Sequence, residues 1–145
     1  MLNELAKHCH EAAVKKGFYE KEHAMIELLK DQPDEMRLYL KSILIDNRLM
    51  LIVTELSEAV ESLRKFRFAQ KQVFENRIKE DQLNYDQHFK HAYECHMKDT
   101  FETEIAGTMV RLLDLIGAEK IDIDYYLQRE LEFNSMRDKM HGKQF

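Results

Sequence analysis

The stretch LMLIVTELSEAVESL, residues 49–63, decides the fold: Leu49, Ile52, Val53, Leu56, Ala59, Val60 and Leu63 recur every three or four residues, the period of an amphipathic helix. No Gly or Pro interrupts the chain from Glu35 to about Ala69. The pattern therefore predicts one long helix as the spine of the molecule. The composition agrees, since 145 residues contain only one Pro and four Gly, too few breakers for an all-β fold built on tight turns. The expectation is an all-α fold in one domain, 1–145, large enough to bury a core without disulfides or a structural metal.

On the N-terminal side of the spine, Leu2, Leu5, Ala6, Cys9, Ala12 and Ala13 predict a helix that stops near Lys16, with Gly17 as its left-handed cap. A shorter helix follows from about His23 to Lys30, ended by Asp31-Gln32-Pro33, and Asp34 is the expected N-cap of the spine. On the other side, Lys71 to Lys98 is polar with scattered aromatics, and its structure is not fixed by its pattern. A helix from about Thr100 to Ile116 should bury Ile105, Met109, Leu112, Leu113 and Ile116, with Gly117 as its C-cap. A last helix carries Ile123, Tyr126, Leu127, Glu130, Leu131 and Asn134 on one stripe and runs into the basic tail Arg137 to Phe145. Four principal helices suggest a four-helix-bundle-like arrangement.

With 22 Lys+Arg against 27 Asp+Glu the net charge is −5, and the interspersed charges advertise no nucleic-acid polymer as partner. No apolar run approaches the length of a membrane span, and the N-terminus lacks a signal-type apolar core. Cys9 and Cys95 form no CxxC motif, which suits free thiols in a reducing, cytoplasmic setting.

Chemistry is suggested by Glu55-Leu56-Ser57-Glu58, whose two carboxylates, three residues apart, leave the helix from nearly the same side. Glu55 lies beside Ile52 and Ala59 at the edge of the apolar stripe, an awkward place for a charge without a partner. Glu61 is the solvent-facing contrast. Glu104 lies on the polar flank of the later helix, and carboxylates from two helices can share Mg²⁺ or Mn²⁺. Such Glu pairs also occur on plain solvated faces. Asn134 in an apolar stripe is either a satisfied core polar group or one aimed into a pocket.

Four ordered segments resemble the MazG-like nucleoside triphosphate pyrophosphohydrolases, also called all-α NTP pyrophosphatases. Lys16-Gly17-Phe18-Tyr19-Glu20 is similar to that family's Lys-Gly-aromatic-aromatic element, and Glu55-Leu56-Ser57-Glu58 to its ExxE metal motif. Phe101 to Gly117 resembles its ExxD helix, with Glu104 as the matching Glu. Asn134, Arg137 and His141-Gly142-Lys143 resemble the endings of one branch.

The resemblance implies cleavage between the α and β phosphates of a nucleoside triphosphate, giving a monophosphate and pyrophosphate. It implies Glu55, Glu58 and Glu104 as ligands of Mg²⁺, with Mn²⁺ as the substitute, and Glu55 or Glu58 as the group that orients the attacking water. Phe18 or Tyr19 would stack on the base, while Asn134, Arg137, Lys139 and Lys143 would hold sugar or phosphates. Core packing is the competing role for the two rings, and helix-end charge for the cations. A homodimer or homotetramer is also implied.

The chain departs from the family pattern twice. Residues 71–98 lengthen the connection between the acidic motifs, as an insertion, a lid or an oligomer contact. Where ExxD calls for Asp, the chain reads Glu104-Ile105-Ala106-Gly107, so one expected ligand is missing, and Asp114 lies about 10 Å further along the helix axis. The alternative function is therefore a catalytically impaired homologue that binds nucleotide or serves as a helical interaction protein.

Overall fold

A computed structural model describes residues 1–80 and 84–137. The described residues form seven helices and no strand: α1 (Leu2–Lys15), α2 (Glu20–Leu28), α3 (Asp34–Arg64), α4 (Lys71–Glu80), α5 (Tyr85–His96), α6 (Phe101–Ala118) and α7 (Ile123–Ser135). The all-α expectation holds. None of these helices is long and apolar enough to cross a membrane. The chain divides into two compact units, one of Met1–Arg37 with Leu113–Phe145, the other of Leu38–Leu112.

In the first unit, Ala6, Leu113 and Ile116 form a buried cluster, with Cys9 and Ile123 packed against it. α1 ends as its sequence suggests. Gly17 adopts φ 82°, and Gly17 N–H and Phe18 N–H donate to the carbonyls of Val14 and Ala13, the paired bonds of a Schellman cap. The other end of α1 is capped across space by Asp124, whose carboxylate accepts from the backbone N–H groups of Leu2 at 3.0 Å and Asn3 at 3.2 Å.

Gly117 corrects a sequence expectation. It lies inside α6 rather than capping it, and the left-handed residue is Lys120, φ 53°. Lys120 N–H and Ile121 N–H donate to the carbonyls of Gly117 and Ile116. The glycine has a packing reason instead: a Cβ there would stand 2.4 Å from the Ala6 carbonyl oxygen and 2.8 Å from His10 Cβ. Only a residue without a side chain lets α1 lie so close.

In the second unit α3 stops five residues before the predicted Ala69. Phe66 takes φ 54°, and Phe66 N–H and Arg67 N–H bond back to Leu63 and Ser62, so a Schellman cap closes α3 without glycine. At the other end, Asp34 is the first helical residue and not the cap; the Pro33 carbonyl accepts from Arg37 N–H at 3.2 Å. Residues 71–98, whose pattern left them open, contain α4 and α5, joined by rings: Phe74 meets Phe89 and Tyr93 edge-on, and Phe89 stacks on Tyr93.

The apolar stripes are less buried than their periodicity predicts. On α3 only Ile52 and Ala59 of the seven stripe residues are buried, whereas Leu49, Val53, Leu56, Val60 and Leu63 are exposed. On α6, Leu113 and Ile116 are buried, but Ile105, Met109 and Leu112 are exposed. On α7, Tyr126, Leu127 and Leu131 are exposed as well. Periodicity identifies a helix's apolar side, but burial depends on what the rest of the fold lays against it.

Candidate functional site

The buried line of α3 reads Ile52, Glu55, Ala59, Ser62 at spacings of three and four, with Glu55 half-buried within it. A carboxylate in such a line requires partners. They come from α6, and the register is set by the connections at the ends of the two helices. Ser62 Oγ donates to the Asp99 carbonyl at 3.1 Å, Phe101 N–H to the Arg67 carbonyl at 2.9 Å, and Ala69 N–H to Glu102 Oε2 at 2.9 Å. Thr103 Oγ1 accepts from Thr100 N–H at 3.2 Å, so the start of α6 is satisfied by its own third residue in the manner of a capping box.

With this register Glu104 faces the ExxE pair. Glu55, Glu58 and Glu104 each offer a carboxylate oxygen within 4.8 Å of the others. Glu104 is 8% exposed and Glu58 is open to solvent. Burial pushes the Glu104 carboxyl above its ordinary pKa, and the charges of Glu58, Glu55 and Asp99, with a hydrogen bond to Glu58, push it the same way. The cluster is short of positive charge. Its all-oxygen donor set, without imidazole or thiolate, fits Mg²⁺ or Mn²⁺ better than zinc, and a divalent cation would favour the ionised form of Glu104.

One neighbour escaped the sequence reading. Arg111 Nε donates to Glu55 Oε1 at 2.7 Å. Arg111 lies four residues after Gly107 and seven after Glu104, on the same helical face. Spacing places it on that face, but nothing local marks it as the partner of Glu55 on α3. Gly107 has a local reason too: a Cβ there would stand 2.6 Å from Glu55 Oε2. The glycine leaves the Glu55 carboxylate its place, and an Asp at 107 could not simply be added to this arrangement.

Asp114, the displaced candidate, is engaged within the first unit. It accepts from Tyr19 Oη at 2.6 Å and pairs with His10 Nδ1 at 3.0 Å. The remaining described candidates, Phe18, Tyr19, Asn134 and Arg137, belong to that unit as well. Tyr19 is 5% exposed and meets the His10 ring edge-on, so it packs, whereas Phe18 is 76% exposed. Asn134 donates to Glu130 Oε1 at 3.0 Å and accepts from Arg137 Nη1 at 3.2 Å. It is a half-buried residue satisfied along its own helix. Arg137 also lies over the Phe133 ring. Lys139 and Lys143, with His141 and Gly142, lie outside the described residues. Glu61 is exposed and paired with Lys65 at 2.8 Å, as its outward position predicts. Cys9 and Cys95 are free thiols.

Comparison with protein-family models, curated proteins and solved structures yields no match.

Proposed function

We propose that this chain is a divalent-metal-dependent nucleoside triphosphate pyrophosphohydrolase of MazG-like type, cleaving the α–β phosphate bond to release a nucleoside monophosphate and pyrophosphate. The observation that carries the reading is the convergence of Glu55 and Glu58 on α3 with Glu104 on α6. These three carboxylates would hold Mg²⁺, or Mn²⁺ in its place. When bound, such an ion supplies charge neutralisation for the polyphosphate and acidifies a coordinated water.

The protein groups divide the remaining work by position. Glu104, buried, and Glu55, held by Arg111, are fixed carboxylates. Glu58 is the exposed member, so it is assigned to orient the attacking water and accept its proton at a carboxylate oxygen. Purified protein with Mg²⁺ or Mn²⁺ should release pyrophosphate from at least one NTP or dNTP, and Glu58→Gln should reduce that release at least about a hundredfold. Silence across a complete nucleotide panel with both metals would overturn the reading.

A second reading is favoured by the Arg111–Glu55 ion pair and the side-chain-free position 107: a homologue that binds nucleotide without turnover, or acts through its helices. Calorimetric binding of nucleotide with no product would support the binder, and absence of binding the interaction role. Either way a homo-oligomer is proposed. Met50, Leu51 and Val53 on α3 and Met109 and Val110 on α6 are about half exposed, apolar surface of the kind that a second copy covers. Sedimentation equilibrium at a single-chain mass would contradict it.

A further inference from the structure

We propose that Arg111 serves as a built-in cation of the carboxylate cluster and limits it to one divalent ion per chain. The inference rests on the metal reading above and concerns how many ions the cluster takes.

Glu55 has a side-chain exposure of 15%, and its two oxygens have different surroundings. Oε1 accepts from Arg111 Nε at 2.7 Å, a charge-assisted bond. Oε2 stands 2.6 Å from where a Cβ of residue 107 would be. Any side chain there would push the carboxylate off Arg111 or force it to rotate. Residues 107 and 111 are one turn apart on α6, so the glycine provides the space and the arginine the charge for the same carboxylate.

Counting charge gives the consequence. Three ionised carboxylates carry −3, and Arg111 reduces this to −2, the amount that one divalent cation neutralises. A site with a carboxylate in place of the Gly107–Arg111 pair would carry −4 and call for two such ions. The missing acid and the added base are therefore parts of one exchange, in which a guanidinium fixed to the protein replaces a dissociable cation. Arg111 is itself 45% exposed in its side chain, so changing it does not touch the buried Ile52, Ala59 and Ser62 of α3.

The test is calorimetric titration of Mn²⁺ into the full chain, with ion number checked by electron paramagnetic resonance and folding by circular dichroism. The wild type should bind one Mn²⁺. Arg111→Gln should bind Mn²⁺ at least about tenfold more tightly, because a nearby positive charge has gone, whereas a merely structural arginine would weaken binding when removed. Arg111→Lys keeps the charge and should stay within about threefold of wild type. Gly107→Ala should weaken binding by displacing Glu55. Two ions per wild-type chain, or equal or weaker binding by Arg111→Gln, would overturn the role of Arg111 and leave the hydrolase reading to the pyrophosphate assay. Failure of every variant and the wild type to bind Mn²⁺ would overturn both.

Discussion

Gly107 and Gly117 sit ten residues apart on α6, and both are interior helix glycines, each costing about 1 kcal/mol relative to Ala. Gly117 admits the backbone of α1, with the Ala6 carbonyl oxygen 2.4 Å from the missing Cβ. Gly107 admits the end of a side chain, Glu55 Oε2, at 2.6 Å. Similar distances thus have different consequences. A backbone oxygen fixed in a helix cannot give way without moving the helix, whereas a glutamate carboxylate moves by rotating its own side chain. The first glycine is a packing requirement and the second an electrostatic one.

That contrast predicts opposite signs, and the largest effect is at the packing glycine. Gly117→Ala should lower unfolding stability by about 2–3 kcal/mol, as overpacking against an immobile neighbour does, whereas Gly107→Ala should leave stability unchanged or raise it by up to about 1 kcal/mol through helix propensity. Urea unfolding of both variants measures this. Equal losses would erase the distinction.

The electrostatic half of the helix should also respond to pH. The Glu104 carboxyl is held above its ordinary pKa by burial first and by its acidic neighbours second, so the folded protein keeps this proton to higher pH than the unfolded chain. Its contribution is complete below the unfolded pKa and is lost as pH rises through the folded one, so without divalent metal stability should fall across that interval. Glu104→Gln should flatten this slope and Mn²⁺ should oppose it. Unfolding curves across the acidic range, with and without Mn²⁺, test both statements.

The smallest expected effects are at the helix ends. Lys120 and Phe66 hold left-handed backbone at φ 53° and 54°, which L-residues adopt at a cost of about 1–2 kcal/mol. Lys120→Gly and Phe66→Gly should each raise stability by about 0.5–1 kcal/mol after the added freedom of the unfolded chain is counted. Thermal melts read the gain, and the exposed Phe66 ring gives up little packing.

These caps show why helix boundaries were only partly legible. Gly17 announces its cap because glycine is the residue that takes positive φ freely. Phe66 and Lys120 make equivalent caps with side chains that give no local signal, so the pattern carries α3 past its end and points to Gly117 for a cap that Lys120 makes. The acidic pair of α3 was legible because helix geometry alone places i and i+3 together. Arg111 was not, because its partner Glu55 lies on another helix, 56 residues away, where no local spacing pairs them.

By itself the sequence determined what is periodic and local: the all-α class of the described residues, the long helix α3, the first glycine cap, and the shared side of Glu55 and Glu58. These follow from 3.6 residues per turn and from the φ that each residue tolerates. Only the tertiary structure decided which part of each apolar stripe is covered, that Glu104 meets the pair from α3, and that Gly107 with Arg111 holds Glu55. Those outcomes depend on the register between helices distant in sequence, and the bonds from Ser62, Arg67 and Ala69 to residues 99, 101 and 102 set that register.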